Sequence, residues 1–173
     1  MNFFVCGLPR SRTAWFSTFL TYKDKFCYHE GIDGCETIED YKAKLGTDKG
    51  DSDTCLMLLD MNTLFPDAPK VIIERDVQEC IESASKMLSV YINPEYFYFG
   101  RDRLDKIDGL RISYDDINDR LEEIWNYLIP DIEFDSKRAK RLCNDNVQDN
   151  RFDYDFDSIN NLILKGACDG RVL

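Results

Sequence analysis

Apolar and polar positions alternate along this chain in short blocks, and the blocks fall into two kinds. Runs of five to eight residues at 2–6, 25–29, 54–59, 70–75 and 110–117 are short and carry Phe, Val, Ile and Leu, as buried strands should. Between them lie stretches with a helical period. The first places Trp15, Phe16, Phe19 and Leu20 on one stripe, and another places Val77, Ile81, Ala84 and Leu88 on one face. Residues 37–45 and 121–128 complete the predicted helices. The segment GTDKGDSDT at 46–54 reads as a loop, because Gly, Asp and Ser dominate it. The aromatic stretch at 91–104 fits no period well, and Tyr96 to Phe99 within it suits an acceptor pocket, a lid or an interface, with plain core the commonest role of such residues. The last forty residues mix short helical pieces with Asp- and Asn-rich loops. Strands alternating with helices predict a three-layer α/β fold with a mostly parallel central sheet of about five strands flanked by helices. At 173 residues, one domain spanning 1–173 is expected, large enough to bury its own core.

Composition narrows the function. The net charge of −11 disfavours nucleic acid as a partner, since that binding draws on Lys and Arg neutralising phosphates. It does not disfavour a small anion held by local arginines, because more distant charges are screened beyond about 8 Å. No apolar run approaches the roughly 20 residues of a membrane helix, and the start lacks the features of a secretory leader, so a cytoplasmic protein with no membrane partner is expected. Seven cysteines without a CxxC pair read as reduced core residues, and a single histidine makes a His/Cys metal site unexpected.

The candidate chemistry begins at GLPRSRTAW, residues 7–15. Gly7 permits a sharp turn after the first strand and Pro9 restricts the chain ahead of the helix. The N–H groups of Arg12, Thr13 and Ala14 then precede the helical ladder and point toward one spot, aided by the helix dipole. Ser11 and Thr13 add hydroxyls, and Arg10 and Arg12 add charge-assisted bonds worth about 1.5–3 kcal/mol each. The arrangement suits a phosphate or sulfate group; a plain strand-to-helix turn with Ser11 as N-cap is the alternative. A kinase loop G-x-x-x-x-G-K-[ST] is not matched, because Arg12, Thr13 and Ala14 stand where glycine, lysine and the magnesium-binding hydroxyl belong.

The segment resembles the 5′-phosphosulfate loop of the sulfotransferase family, P-[KR]-S-G-T-x-W, at Pro9, Arg10, Ser11, Thr13 and Trp15, departing from it at Arg12 in place of glycine. The family's 3′-phosphate segment, an arginine ending a buried strand and a serine eight positions later, is matched by Arg75 and Ser83 in PKVIIERDVQECIES. LRISYDDI resembles a later strand end of the same family, with Asp115 and Asp116 more in keeping with structure than with chemistry, and Lys165–Gly166 bears a faint likeness to a further 3′-phosphate segment. The resemblance runs in order over about residues 3–130. It implies a donor, 3′-phosphoadenosine 5′-phosphosulfate (PAPS, leaving PAP), with Trp15 near the adenine and no metal. Arg10 would stand at the catalytic lysine position, stabilising charge on the departing oxygen. FCYHEG resembles the region where tyrosylprotein sulfotransferases hold a catalytic glutamate, which makes His29 and Glu30 the candidate bases for a small-molecule or peptide acceptor. A degenerate P-loop kinase and a non-catalytic binding module on the same fold remain alternatives.

Overall fold

The computed structural model describes residues 1–88 and 93–144. The side chain of Leu88, the Lys165–Gly166 segment and Cys168 lie outside the described residues. Five strands, β1 (Phe3–Gly7), β2 (Phe26–His29), β3 (Lys49–Asp53), β4 (Lys70–Glu74) and β5 (Leu110–Ser113), form one sheet in the order β2-β3-β1-β4-β5. All four pairings are parallel. The helices are α1 (Thr13–Leu20), α2 (Ile38–Leu45), α3 (Met61–Leu64), α4 (Val77–Leu88), α5 (Pro94–Leu104), α6 (Leu121–Leu128) and α7 (Ser136–Cys143). The three-layer expectation therefore holds: strands alternate their side chains between two cores. Phe3 and Val5 of β1 pack with α1, α6 and α7, while Phe4 and Cys6 pack with residues of α2, α4 and α5.

The largest departure from the pattern is β3. Its sequence, KGDSD, was expected to be loop, and the apolar run after it was expected to be the strand; instead Cys55–Leu58 forms a 3-10 turn whose Leu56 and Met57 enter the second core. The polar strand is held by partners far away in sequence. Gly50 pairs beside Phe3, and the Phe3 ring lies where a Gly50 Cβ would be, 2.1 Å from the nearest ring carbon. Asp51 receives the Tyr41 hydroxyl at 2.7 Å and the Gly31 N–H at 3.1 Å. Replacing Gly50 by Ala is expected to cost about 1–3 kcal/mol through overpacking, read as a lower denaturation midpoint with unchanged slope.

A second long-range device fixes α1, all of whose residues are buried. Arg138 of α7 is itself only 2% exposed and donates to the carbonyls of Thr18, Phe19 and Thr21 at 2.7, 2.6 and 2.9 Å. These are the carbonyls that end a helix without intrahelical partners, so one guanidinium closes the C-terminus of α1. Burial holds the Arg138 guanidinium down to about 10. Replacing it by Met, which matches its length but donates nothing, is expected to cost about 3 kcal/mol, a fall of roughly 6–12 °C in Tm by calorimetry. In α5 only Phe97 of the stretch Tyr96 to Phe99 is core; Tyr96, Tyr98 and Phe99 are exposed.

Candidate functional site

The strand order reverses around β1: the chain places β3 on one side of it and then β4 on the other. In open parallel sheets, ligands bind outside the C-terminal ends of the strands at such a reversal. The turn 7–12 leaves β1 there, and Arg75 leaves β4 beside it, since Gly7 pairs with Ile73.

Gly7 lets the chain double back tightly, because a Cβ on it would stand 3.0 Å from the Ser11 Cβ. The Ser11 N–H closes the turn on the Leu8 carbonyl at 3.1 Å. Arg10 and Arg12 both have left-handed backbone, with φ of 75° and 64°. Each such residue costs about 1–2 kcal/mol outside glycine, and strain of this kind gathers where a ligand must be met. Arg12 thus occupies a backbone conformation that glycine adopts freely, although it carries a side chain. It is the N-cap of α1 and makes no side-chain cap bond; Ser11 is not the cap. The first bond of the helix runs from the Phe16 N–H to the Arg12 carbonyl, so the N–H groups of Thr13, Ala14 and Trp15 precede the ladder.

The hydroxyl of Ser11 is buried, 3.9 Å from the Cys80 sulfur of α4. Thr13 and Ala14 are also nearly buried, and Pro9 is half-buried. Trp15 belongs to the core: it is 5% exposed, stacks on Phe19 at 4.8 Å and donates its indole N–H to the Leu142 carbonyl at 2.8 Å. The Arg12 guanidinium lies over the same indole at 4.2 Å and donates to Asn118 at 2.8 Å. A base stacking on Trp15 would therefore take the place of Arg12.

The two arginine-and-hydroxyl segments meet. Arg10 Nε donates to Ser83 Oγ at 3.1 Å, and its NH1 reaches the Met87 sulfur at 2.9 Å. Arg75 NH1 donates to the Arg10 carbonyl, its guanidinium lies over the Tyr114 ring at 4.0 Å, and Glu79 stands 3.4 Å from its Nε. Arg75 thus braces the strained turn and keeps a carboxylate neighbour, Glu79, in the first turn of α4. The two aspartates after β5, Asp115 and Asp116, are exposed in the 3-10 turn Tyr114–Asp119.

The candidate bases lie at the end of β2, two strands from β1 and on the opposite side of it from Arg75. His29 ends β2, and its Nδ1 is 3.0 Å from the Ser52 carbonyl, so in the neutral ring Nδ1 carries the proton and Nε2 is the acceptor. Glu30, with left-handed backbone at φ 57°, has a carboxylate oxygen 3.7 Å from Nε2. Sequence reasoning missed the carboxylates of β3. Burial, with the nearby Asp53 charge, pushes the Asp51 carboxyl up to about 7, while the Tyr41 hydroxyl and Gly31 N–H act in the opposite direction. Burial also raises Asp53, whose one oxygen takes the Cys55 N–H at 2.7 Å. No signal in an apolar-run reading could have found them, because the strand that carries them has no apolar residue. Comparison with family models, curated proteins and solved structures gave no match.

Proposed function

We propose that this protein is a sulfotransferase, moving a sulfonate group from 3′-phosphoadenosine 5′-phosphosulfate to a hydroxyl or amine acceptor. The observation that carries this reading is the meeting of Arg10, Ser83 and Arg75 at the strand reversal, where the β1 turn and the start of α4 face one another. The matched motifs at 9–15 and 75–83 support it from the sequence side.

In this reading the N–H groups at the start of α1 and the Arg10 guanidinium hold the 5′-phosphosulfate. Arg75 and Ser83 turn to the 3′-phosphate, exchanging their present contacts with Arg10 and Glu79 for the ligand's oxygens. Arg10 stabilises the charge that builds on the departing oxygen; being unable to give up its proton at working pH, it acts electrostatically. The acceptor's proton goes to His29 Nε2, or to Glu30 beside it. Transfer of this kind needs in-line placement and charge stabilisation, which these residues supply from rigid strand and helix ends.

Thermal-shift measurements with the bisphosphate nucleotide, with ATP and magnesium, and with buffer separate the alternatives. A sulfotransferase is stabilised by the bisphosphate nucleotide without magnesium. Stabilisation by ATP and magnesium in its place would turn the reading to a kinase, and stabilisation by neither would turn it to a binding module.

A further inference from the structure

On the opposite flank of β1 from Arg75, the same sheet edge changes sign. Asp53 ends β3 and pairs with Cys6, one residue before Gly7, so it lies about 5 Å from the base of the arginine turn measured across the strands. Its residue is 0% exposed; one oxygen is bound to the Cys55 N–H, the Cys55 thiol also turns to the carboxylate, and Oδ2 has no partner within hydrogen-bond geometry. Ionisable groups reach it from every neighbouring element: His29 and Glu30 from the end of β2, Asp33 from the turn after it, Cys55 from the 3-10 turn, Asp51 and Cys6 from the strands, Tyr41 from α2 and Tyr96 from α5. Three of these eight, Glu30, Asp33 and Asp51, are carboxylates, and none is a lysine or arginine. A buried carboxylate oxygen without a donor is one the fold itself does not satisfy, and such an atom calls for a donor from outside.

A divalent cation is a poor fit, since no set of three His, Cys, Asp or Glu side chains converges in metal-binding fashion among the described residues. An N–H donor with positive charge answers both the unpaired oxygen and the surrounding field. Exposed apolar side chains stand on the two neighbouring elements: Leu58, at the end of the 3-10 turn that follows Asp53, is 45% exposed, and Tyr96 of α5, within electrostatic reach of Asp53, is 38% exposed. Arg103 of α5, donating to the carbonyls of Met57 and Leu58, ties these two elements together.

We infer that Asp53 anchors a protonated amine, and that the acceptor is a molecule with a cationic nitrogen and an apolar or aromatic body lying along Leu58 and Tyr96. In naming an acceptor, the inference rests on the transferase reading above. The site is then dipolar, with arginines for an anionic donor on the β1/β4 side and carboxylates for a cationic acceptor on the β2/β3 side. Burial raises Asp53 when it is alone, and an ammonium on Oδ2 would favour its ionised form.

The test titrates the intact chain, without nucleotide, with three matched probes: tyramine, 4-propylphenol and 3-(4-hydroxyphenyl)propionate. The ring signal of His29, the chain's single histidine, reports binding by NMR. Tyramine should bind at least about tenfold more tightly than the neutral and anionic probes, and Asp53→Asn should abolish that preference. The paired exposed substitutions Glu30→Gln and Asp33→Asn should weaken tyramine less, with loss of its salt dependence, and decide the matter should Asp53→Asn fail to fold. Equal binding of the three probes, no tyramine binding at millimolar concentration, or a preference that survives Asp53→Asn would overturn the inference, leaving water as the filler of the gap. A parallel titration with the bisphosphate nucleotide keeps the two proposals apart. Nucleotide binding without tyramine binding sinks only the acceptor; tyramine binding without nucleotide binding sinks only the donor.

Discussion

Arg10→Ala is expected to abolish sulfonate transfer, while Arg75→Ala is expected to weaken bisphosphate-nucleotide binding by about 10–100-fold, the equivalent of one lost charge-assisted contact. The two differ because of where their guanidinia lie. Arg10 sits in the left-handed turn leaving β1, within reach of α4, where a departing oxygen would be met. Arg75 reaches the same turn from β4 but spends one N–H on the Arg10 carbonyl and stacks on Tyr114. Alanine and arginine share the left-handed backbone penalty, so Arg10→Ala removes the charge without changing the strain of the turn. Transfer assays and calorimetric titration of both variants check this. Unchanged nucleotide binding in both would place the anion elsewhere.

Asp51 gives the second large effect, on stability. Its carboxyl is pushed from an ordinary 3.8 up to about 7 by burial. The folded state therefore holds this proton more tightly than the unfolded chain does. Stability from this group is fully present below about pH 4 and drains as pH rises through about 7. Three pH units at about 1.36 kcal/mol each cap the loss at about 4 kcal/mol. Asp51→Asn keeps an acceptor for the Gly31 N–H and offers a donor to the Tyr41 oxygen. Between pH 5 and 8.5 the parent should lose several degrees of Tm from this group, and Asp51→Asn should lose much less. Parallel profiles for the two proteins would show that Asp51 is ionised at no cost.

Why the fold was mostly readable becomes clear strand by strand. β1 and β4 are buried and apolar because both faces of a parallel sheet are covered there, and β1, β2 and β4 stand where their apolar runs lie. The edge strand β5 takes only Leu110–Ser113 of the run at 110–117, the remainder turning into the 3-10 segment Tyr114–Asp119. β3 breaks that logic: its partners are the Phe3 ring, the Tyr41 hydroxyl and the Gly31 N–H, none of which is near it in sequence. The helix of α5 was equally hidden, since its aromatic residues are mostly outside. At the site, the resemblance of residues 7–15 and 75–83 to two sulfotransferase segments implied that they meet, and their contact is a property of strand order. The stripe of Trp15, Phe16, Phe19 and Leu20 already turned Trp15 toward the core, against the resemblance that would set it near an adenine, but nothing in the spacing foretold that its indole would donate to Leu142 or that Arg12 would cover it. Asp53 was invisible for the same reason as its strand.

The most direct measurement is a crystal structure with 3′-phosphoadenosine 5′-phosphate soaked in. The account predicts the 5′-phosphate on the N–H groups of residues 12–14 with Arg10 beside it, and the 3′-phosphate on Arg75 and Ser83, the Arg10 to Ser83 contact having opened. A nucleotide bound away from the β1 turn, or bound there with Arg75 still turned to the Arg10 carbonyl and no contact to phosphate, would contradict it.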